Sequence, residues 1–333
     1  MWRKIQKFLG TIVPSFLIGL LVTVGICMLN RWDAMVPITL IPIWAWAGFA
    51  MIVSLLCWIV CRNVYSIVVM CIWLAVGVVF SEETHGITRE LGHAIFTAPP
   101  TKDEQAITLC VVNVNCNGQK SSLDRIKDLS PDVVIIQQAP EQEALEAFAD
   151  ELWGAERDLL THRTNAILGH GKFLNTLAEE ESSTIHVRLR HPKGATIDVT
   201  DIELSYCAPR IDMWKPEVWN DLIDTRITNR KLVRAFLGEN EMTTPRIGRI
   251  VSGGFGTPPA DDVYRPLITA KLVDSYAESG VSWGNTYPGK YPLLRLDQIW
   301  VSKNLEPRKT FAVHNPDSDH RTVVTYLRLP SAK

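Results

Sequence analysis

Pro131-Asp132-Val133-Val134-Ile135-Ile136-Gln137-Gln138 reads as a buried strand with a sharp start. Proline and aspartate open a turn, and four β-branched residues follow without polar alternation. Two amides close the run. Upstream, Ile107-Thr108-Leu109-Cys110-Val111-Val112-Asn113 has the same character, and Ser121 or Ser122 can cap a short helix through Leu129 between the two. Downstream, residues 141–153 place Leu145, Phe148 and Leu152 at helical spacing. Further strands are expected at 183–190, 195–204, 248–252, 296–301, 308–314 and 322–329. A helix carrying Leu222, Ile227 and Leu232 precedes the Gly-rich segment. Many strands with interspersed helices predict two packed sheets with helices outside.

The 333 residues divide by composition. Thr11–Leu29, Met35–Val60 and Val64–Phe80 contain no Asp, Glu, Lys, Arg or His. At ~1.5 Å per residue, about 19 residues cover ~28 Å, close to the hydrocarbon thickness. Three transmembrane helices are therefore expected within residues 1–80, packed on Gly19, Gly25, Gly48 and Ala45. A cleaved signal peptide is the alternative for the first segment, and the later two anchor the chain in either case. Helices without ionisable residues suit an anchor better than a transport path. Arg3, Lys4 and Lys7 precede the first segment, and Glu82, Glu83 and Glu90 follow the third. That asymmetry puts the N-terminus inside and everything after residue 81 outside the cytoplasmic (inner) membrane. Residues 81–105, with Pro99-Pro100, read as a linker, and residues 106–333 as one domain. A net charge of −2 disfavours bulk nucleic-acid binding.

Several ordered motifs in the second part resemble the endonuclease/exonuclease/phosphatase superfamily. Val111-Val112-Asn113-Val114-Asn115 is similar to its first strand, and Pro131–Gln138 to Pro-Asp-Val-Val-x-x-Gln-Glu. Ser252-Gly253-Gly254-Phe255-Gly256-Thr257-Pro258-Pro259 looks like Gly-Asp-Phe-Asn-Thr-Pro. Gly284-Asn285-Thr286-Tyr287-Pro288 and Leu294-Arg295-Leu296-Asp297-Gln298-Ile299 resemble Thr-Tyr-Pro…Arg-Ile-Asp, and Ser318-Asp319-His320-Arg321 resembles Ser-Asp-His-Arg. The helical start also resembles membrane-bound bacterial members. The resemblance implies a four-layer α/β sandwich and, in an intact member, phosphoester hydrolysis with Mg²⁺ or Mn²⁺.

It also implies a degenerate site. Asn113 would contact phosphate, and Asp297 with His320 would form a carboxylate–imidazole pair. Asp319 could be a metal ligand. Gln138 stands at the position of the metal-binding Glu, Gly254 at that of the water-orienting Asp, and Gly256 at that of the phosphate-binding Asn. Asn115 stands where some members carry Asp, and Glu203 aligns nearest to a second catalytic His. Loss of a general base costs about 10²–10⁴-fold.

The expectation is an impaired enzyme fold that binds a phosphorylated envelope component. The alternative is an active Mg/Mn-dependent phosphohydrolase acting on a phosphodiester or lipid-linked phosphate. In that fold, loops carrying Cys116 and Cys207 would flank one cleft, which leaves a bridge between them open. His162, His170, His186, His191 and His314 show no metal-ligand spacing. Asp261 reads as the cap of a helix over 263–269, and the arginines at 188 and 190 as a solvated strand face.

Overall fold

The computed structural model describes residues 1–96, 108–178, 183–239 and 248–329. Ile107 and the Pro99-Pro100 pair lie outside the described residues. The chain forms two compact units. One holds residues 1–85, 207–228 and 260–262, and the other holds the rest.

In the first unit, α1 (Trp2–Asn30), α2 (Val36–Leu40), α3 (Ile43–Cys61) and α4 (Val64–Phe80) follow one another closely. Arg31 and Arg62 take left-handed conformations that end α1 and α3. Asn63 caps α4 by accepting the Tyr65 N–H at 3.0 Å. Leu17, Ala47, Ala50, Val69 and Trp73 form the bundle core. The expected small-residue contacts lie elsewhere. A Cβ added at Gly19, Gly25 or Gly48 would meet nothing within 4 Å, whereas one at Gly77 would come within 3.0 Å of the Ala47 Cβ.

Of the three expected spans, two are helices that could cross outright among the described residues, and the third could cross only as a bent pair of helices. α1 and α3 are long and apolar enough to cross a membrane. α4 has 17 residues, and the chain bends by 71° into the next helix, α5 (Glu82–Phe96). A helix of that length rises about 26 Å at ~1.5 Å per residue, the lower end of what crosses a ~30 Å hydrocarbon core. The start of α5 lies in the segment read as linker, and its cap explains why it is helical. The Ser81 hydroxyl donates to Glu83 at 2.7 Å and accepts the Thr84 N–H at 3.5 Å.

The first unit also contains the start of α8 (Pro216–Glu239). The soluble helices before it are α6 (Ser121–Asp124) and α7 (Gln142–Trp153). Val218 and Leu222 pack with Cys207, Val36 and Leu40. Asp261 stands just before the helical turn Asp262–Tyr264 and also serves as an ion-pair partner. It is buried, and its carboxylate accepts the Arg226 Nε–H at 2.9 Å. Arg226 also reaches Thr39 and the Trp32 carbonyl.

The second unit is built on two six-stranded sheets. The strands in chain order are β1 (Thr108–Asn115), β2 (Val133–Gln137), β3 (Arg157–His162), β4 (Asn165–His170), β5 (Lys172–Ala178) and β6 (Ile185–Arg190). They continue with β7 (Thr196–Glu203), β8 (Gly248–Gly254), β9 (Leu272–Asp274), β10 (Asp297–Ser302), β11 (Glu306–Val313) and β12 (Thr322–Arg328). The sheet orders are β11-β12-β1-β2-β4-β3 and β5-β6-β7-β8-β10-β9. Leu109, Val111, Val133 and Ile135 face Val187, Leu189, Val199 and Ile250 in the core between the sheets. The alternate residues of β1 and β2, including Val112 and Val134, pack outward on Leu145 and Phe148 of α7. Val251 and Trp300 pack outward on Val233 and Phe236 of α8 and on Leu267 of α9 (Arg265–Thr269). The result is the four-layer α/β sandwich. Arg188 departs from the solvated reading: it is buried and paired with Asp198 at 2.7 Å.

Candidate functional site

Strand direction assembles the site. β1 and β2 run parallel, as do β7 and β8, so their C-terminal ends carry Asn113, Gln137, Glu203 and Gly254. β10 runs antiparallel to β8 and begins at Asp297, opposite Gly254. His320 lies in the turn before β12. Its Nδ1 is 2.7 Å from Asp297 Oδ2. The hydroxyl of Thr286 accepts the backbone N–H of Leu296 and of Asp297, at 3.1 and 3.2 Å, and so holds the start of β10. Ser318 accepts the His320 N–H at 3.1 Å. The Tyr287 ring is 5.0 Å from the imidazole, and Tyr206 is 6.0 Å from Tyr287. Burial alone would lower the His320 pKa. The adjacent Asp297 carboxylate, its hydrogen bond and the charge of Asp319 outweigh burial, so the pKa stands above the ordinary histidine value.

Inside this rim lies a buried polar cluster. Gln137 Nε2 donates to Asp201 Oδ1 at 2.7 Å, and Asn113 Nδ2 donates to the Gly253 carbonyl at 3.4 Å. Asn113 Oδ1 and Gln137 Oε1 have no hydrogen-bond partner among the described residues. Complete burial pushes the Asp201 carboxyl well above its ordinary range, against the Gln137 hydrogen bond and with the charge of Glu203 adding to it. Glu203 is raised by burial too, although side chains of Asn165, Thr164 and Ser183 bond it.

The remaining sequence-derived positions do not converge on this cluster. Gln138 has a positive φ of 47° and is exposed. Asn115 accepts the Asn117 N–H at 2.9 Å and closes the loop after β1. Asp319 is exposed, and its carbonyl accepts the Gly289 N–H at 2.6 Å. Gly256 has φ of 63°, and a Cβ there would lie 3.0 Å from the Ser205 carbonyl and from the Tyr206 Cα. The backbone at 205–206 thus occupies the space an asparagine stem would need.

A hard dication needs several oxygen ligands with carboxylate charge. The cluster offers two neutral amides and two carboxyls, Asp201 and Glu203, whose pKa values burial raises and which are already bonded by Gln137 and by Asn165, Thr164 and Ser183. This donor set does not fit Mg²⁺ or Mn²⁺.

Sequence spacing missed a second grouping. Asp132 before β2, His170 at the end of β4 and His191 after β6 bring their donor atoms within 4.8 Å of one another. Only the fold joins residues so far apart in the chain. Its hydrogen bonds argue for a structural role. His191 Nδ1 accepts the Lys193 N–H at 3.2 Å, which leaves Nε2 to carry the proton donated to Asp132 at 2.9 Å. The Lys193 ammonium stands 3.8 Å from the same carboxylate oxygen. All seven cysteines are free, Cys116 and Cys207 included.

No family model matches the chain, and no curated protein does. Solved structures do. An endonuclease/exonuclease/phosphatase family protein from Bacteroides thetaiotaomicron is similar at 13% identity and a TM-score of 0.51, over 67% of this chain and 96% of that one. One from Bacteroides vulgatus is similar at 14% identity and a TM-score of 0.51, over 67% and 99%. A mannosyl-6-phosphatase from Bacteroides thetaiotaomicron gives 12% identity and a TM-score of 0.50, over 66% and 99%. At such identities the likeness speaks for architecture. The two-sheet unit of this chain has the endonuclease/exonuclease/phosphatase fold.

Proposed function

We propose that this protein is a membrane-anchored, catalytically impaired member of the endonuclease/exonuclease/phosphatase superfamily. It binds a phosphorylated envelope component outside the cytoplasmic membrane. One observation carries the reading: the His320–Asp297 pair is intact at 2.7 Å, while the positions around it hold no metal-competent set. Gly254 has no side chain, the space at Gly256 is taken by backbone, and Gln138 faces solvent. An imidazolium braced by Asp297 offers its second N–H to a phosphate oxygen, a charge-assisted bond that needs no metal. Tyr287 and Tyr206 supply an aromatic wall beside it. With α1, α3 and the bent α4–α5 pair as three crossings, the basic N-terminus supports the outward orientation.

The test uses the full chain in detergent. Hydrolysis of p-nitrophenyl phosphate and bis-p-nitrophenyl phosphate is measured with Mg²⁺ or Mn²⁺, beside His320→Ala. Binding of glycerol phosphate is followed by the His320 imidazole resonances. The expected result is no hydrolysis above the variant and a ligand-induced shift of those resonances. Metal-dependent hydrolysis that His320→Ala abolishes would instead make the protein a working phosphohydrolase.

A further inference from the structure

Residues 207–228 share a compact unit with α1 and α3. The connection between those helices joins the ends of two segments long and apolar enough to cross a membrane. If they cross, that connection sits at the membrane surface, because irregular backbone is not tolerated among lipid tails. Residues 207–228 are fastened to this connection. Cys207, Val218 and Leu222 share a buried cluster with Val36 and Leu40, and Met213 packs against it. The Trp219 indole donates to the Ala34 carbonyl at 2.8 Å, and Arg226 donates to the Trp32 carbonyl at 3.2 Å.

This fastening leaves two large apolar side chains uncovered on the loop before α8. Ile211 is fully exposed, and Trp214 is 64% exposed. Their charged neighbours leave this tip free of net repulsion from lipid. Arg210 is paired with Asp212 at 3.1 Å and with Asp221 at 3.2 Å, and the Lys215 ammonium lies 5.8 Å over the Trp214 ring. Tryptophan beside a lysine whose stem can reach towards headgroups is the composition favoured at a bilayer–water boundary. Trp32, at the end of α1, is half exposed at the same connection.

We infer that the 208–215 loop is an interfacial anchor: Ile211 and Trp214 enter the headgroup–acyl boundary of the bilayer that α1 and α3 cross. The inference rests on the membrane reading. It adds a contact made by a segment far along the chain, which holds residues 207–228 down on the lipid surface at a point the spans do not reach.

The experiment labels the full chain in phosphatidylcholine nanodiscs with an environment-sensitive nitrobenzoxadiazole dye. Cys61 and Cys71 are first replaced by Ala, since the other five cysteines are buried. Three single-label variants are compared: Ile211→Cys, Leu56→Cys on the exposed side of α3, and Glu143→Cys on α7. Quenching by spin-labelled acyl chains is read for each. Quenching at 211 and 56, with none at 143, is the expected pattern. Quenching at 56 without quenching at 211 overturns the anchor and leaves the membrane reading standing. No quenching at 56 overturns the membrane reading, and the anchor with it.

Discussion

Gly254 and Asp297 face each other across the β8–β10 pair, and a Cβ built on Gly254 would come no closer than 3.8 Å to the Asp297 carboxylate. The position is therefore open to a side chain, unlike Gly256, where backbone fills the space and φ is 63°. Gly254→Asp should fold with little loss of thermal stability. Its carboxylate would stand beside Asp297 and raise the His320 pKa further. NMR titration of the imidazole checks this, and an unchanged or lowered pKa would show that the new side chain points away.

Gly256→Asn should be worse tolerated than Gly254→Asp. Asparagine accepts a left-handed backbone better than most residues, but its Cβ must displace the 205–206 backbone. A cost of about 1–3 kcal/mol is expected. Thermal unfolding of the two variants side by side gives the order.

The His320–Asp297 pair should make stability depend on pH. The folded pKa of His320 lies above its ordinary value, so folding binds the proton more tightly than the unfolded chain does. The stabilisation is fully present below the unfolded pKa, about 6.5, and is lost as pH rises through the folded pKa. The stability gap between the wild type and His320→Gln should therefore shrink from mildly acid to alkaline pH. Urea unfolding across that range measures the gap, and a gap that widens with pH would contradict the assigned shift.

Asp201 carries the same sign with a different cause. Burial raises its folded pKa, so its ionisation costs stability increasingly as pH climbs above the unfolded value. Asp201→Asn keeps an acceptor for Gln137 Nε2 and removes the ionisable group. The variant should match the wild type at low pH and exceed it in melting temperature at pH 8. Equal melting temperatures at pH 8 would mean that Asp201 ionises without penalty.

Arg226 and Asp261 form an ion pair in which both side chains are all but completely buried. Removing one partner leaves a charge without compensation, at a cost of about 3–5 kcal/mol. Arg226→Ala should lower the melting temperature of the detergent-solubilised chain more than Arg210→Ala does, because the Arg210 pairs are exposed. Differential scanning fluorimetry in a common detergent compares them.

Local pattern reached far into this fold. The buried runs at 133–137, 196–203 and 248–254 are strands whose β-branched and apolar content is readable without neighbours. β3 and β5 escaped that reading for a physical reason. β3 is half-buried along its whole length, and β5 is an edge strand with exposed residues at nearly every position, so neither shows alternation. The helix over 82–96 escaped because its start depends on one serine cap, which a polar stretch ending in two prolines hides. In the site, the motif order pointed to Asp297 and His320, and Gly254 and Gly256 were visible as missing side chains.

The sequence by itself determined the apolar start, the strand-rich remainder and the inventory of site side chains, because these depend on residue identity and short-range spacing. Tertiary structure alone decided that Gln137 points inward while Gln138 faces solvent, because strand twist and a left-handed turn separate two adjacent amides. It likewise decided that Gly254 leaves room where Gly256 leaves none, that Asp261 pairs with Arg226, and that Asp132 meets His170 and His191. Each of these rests on the approach of segments far apart in the chain, which is set by the packing of whole sheets and helices and has no local signature.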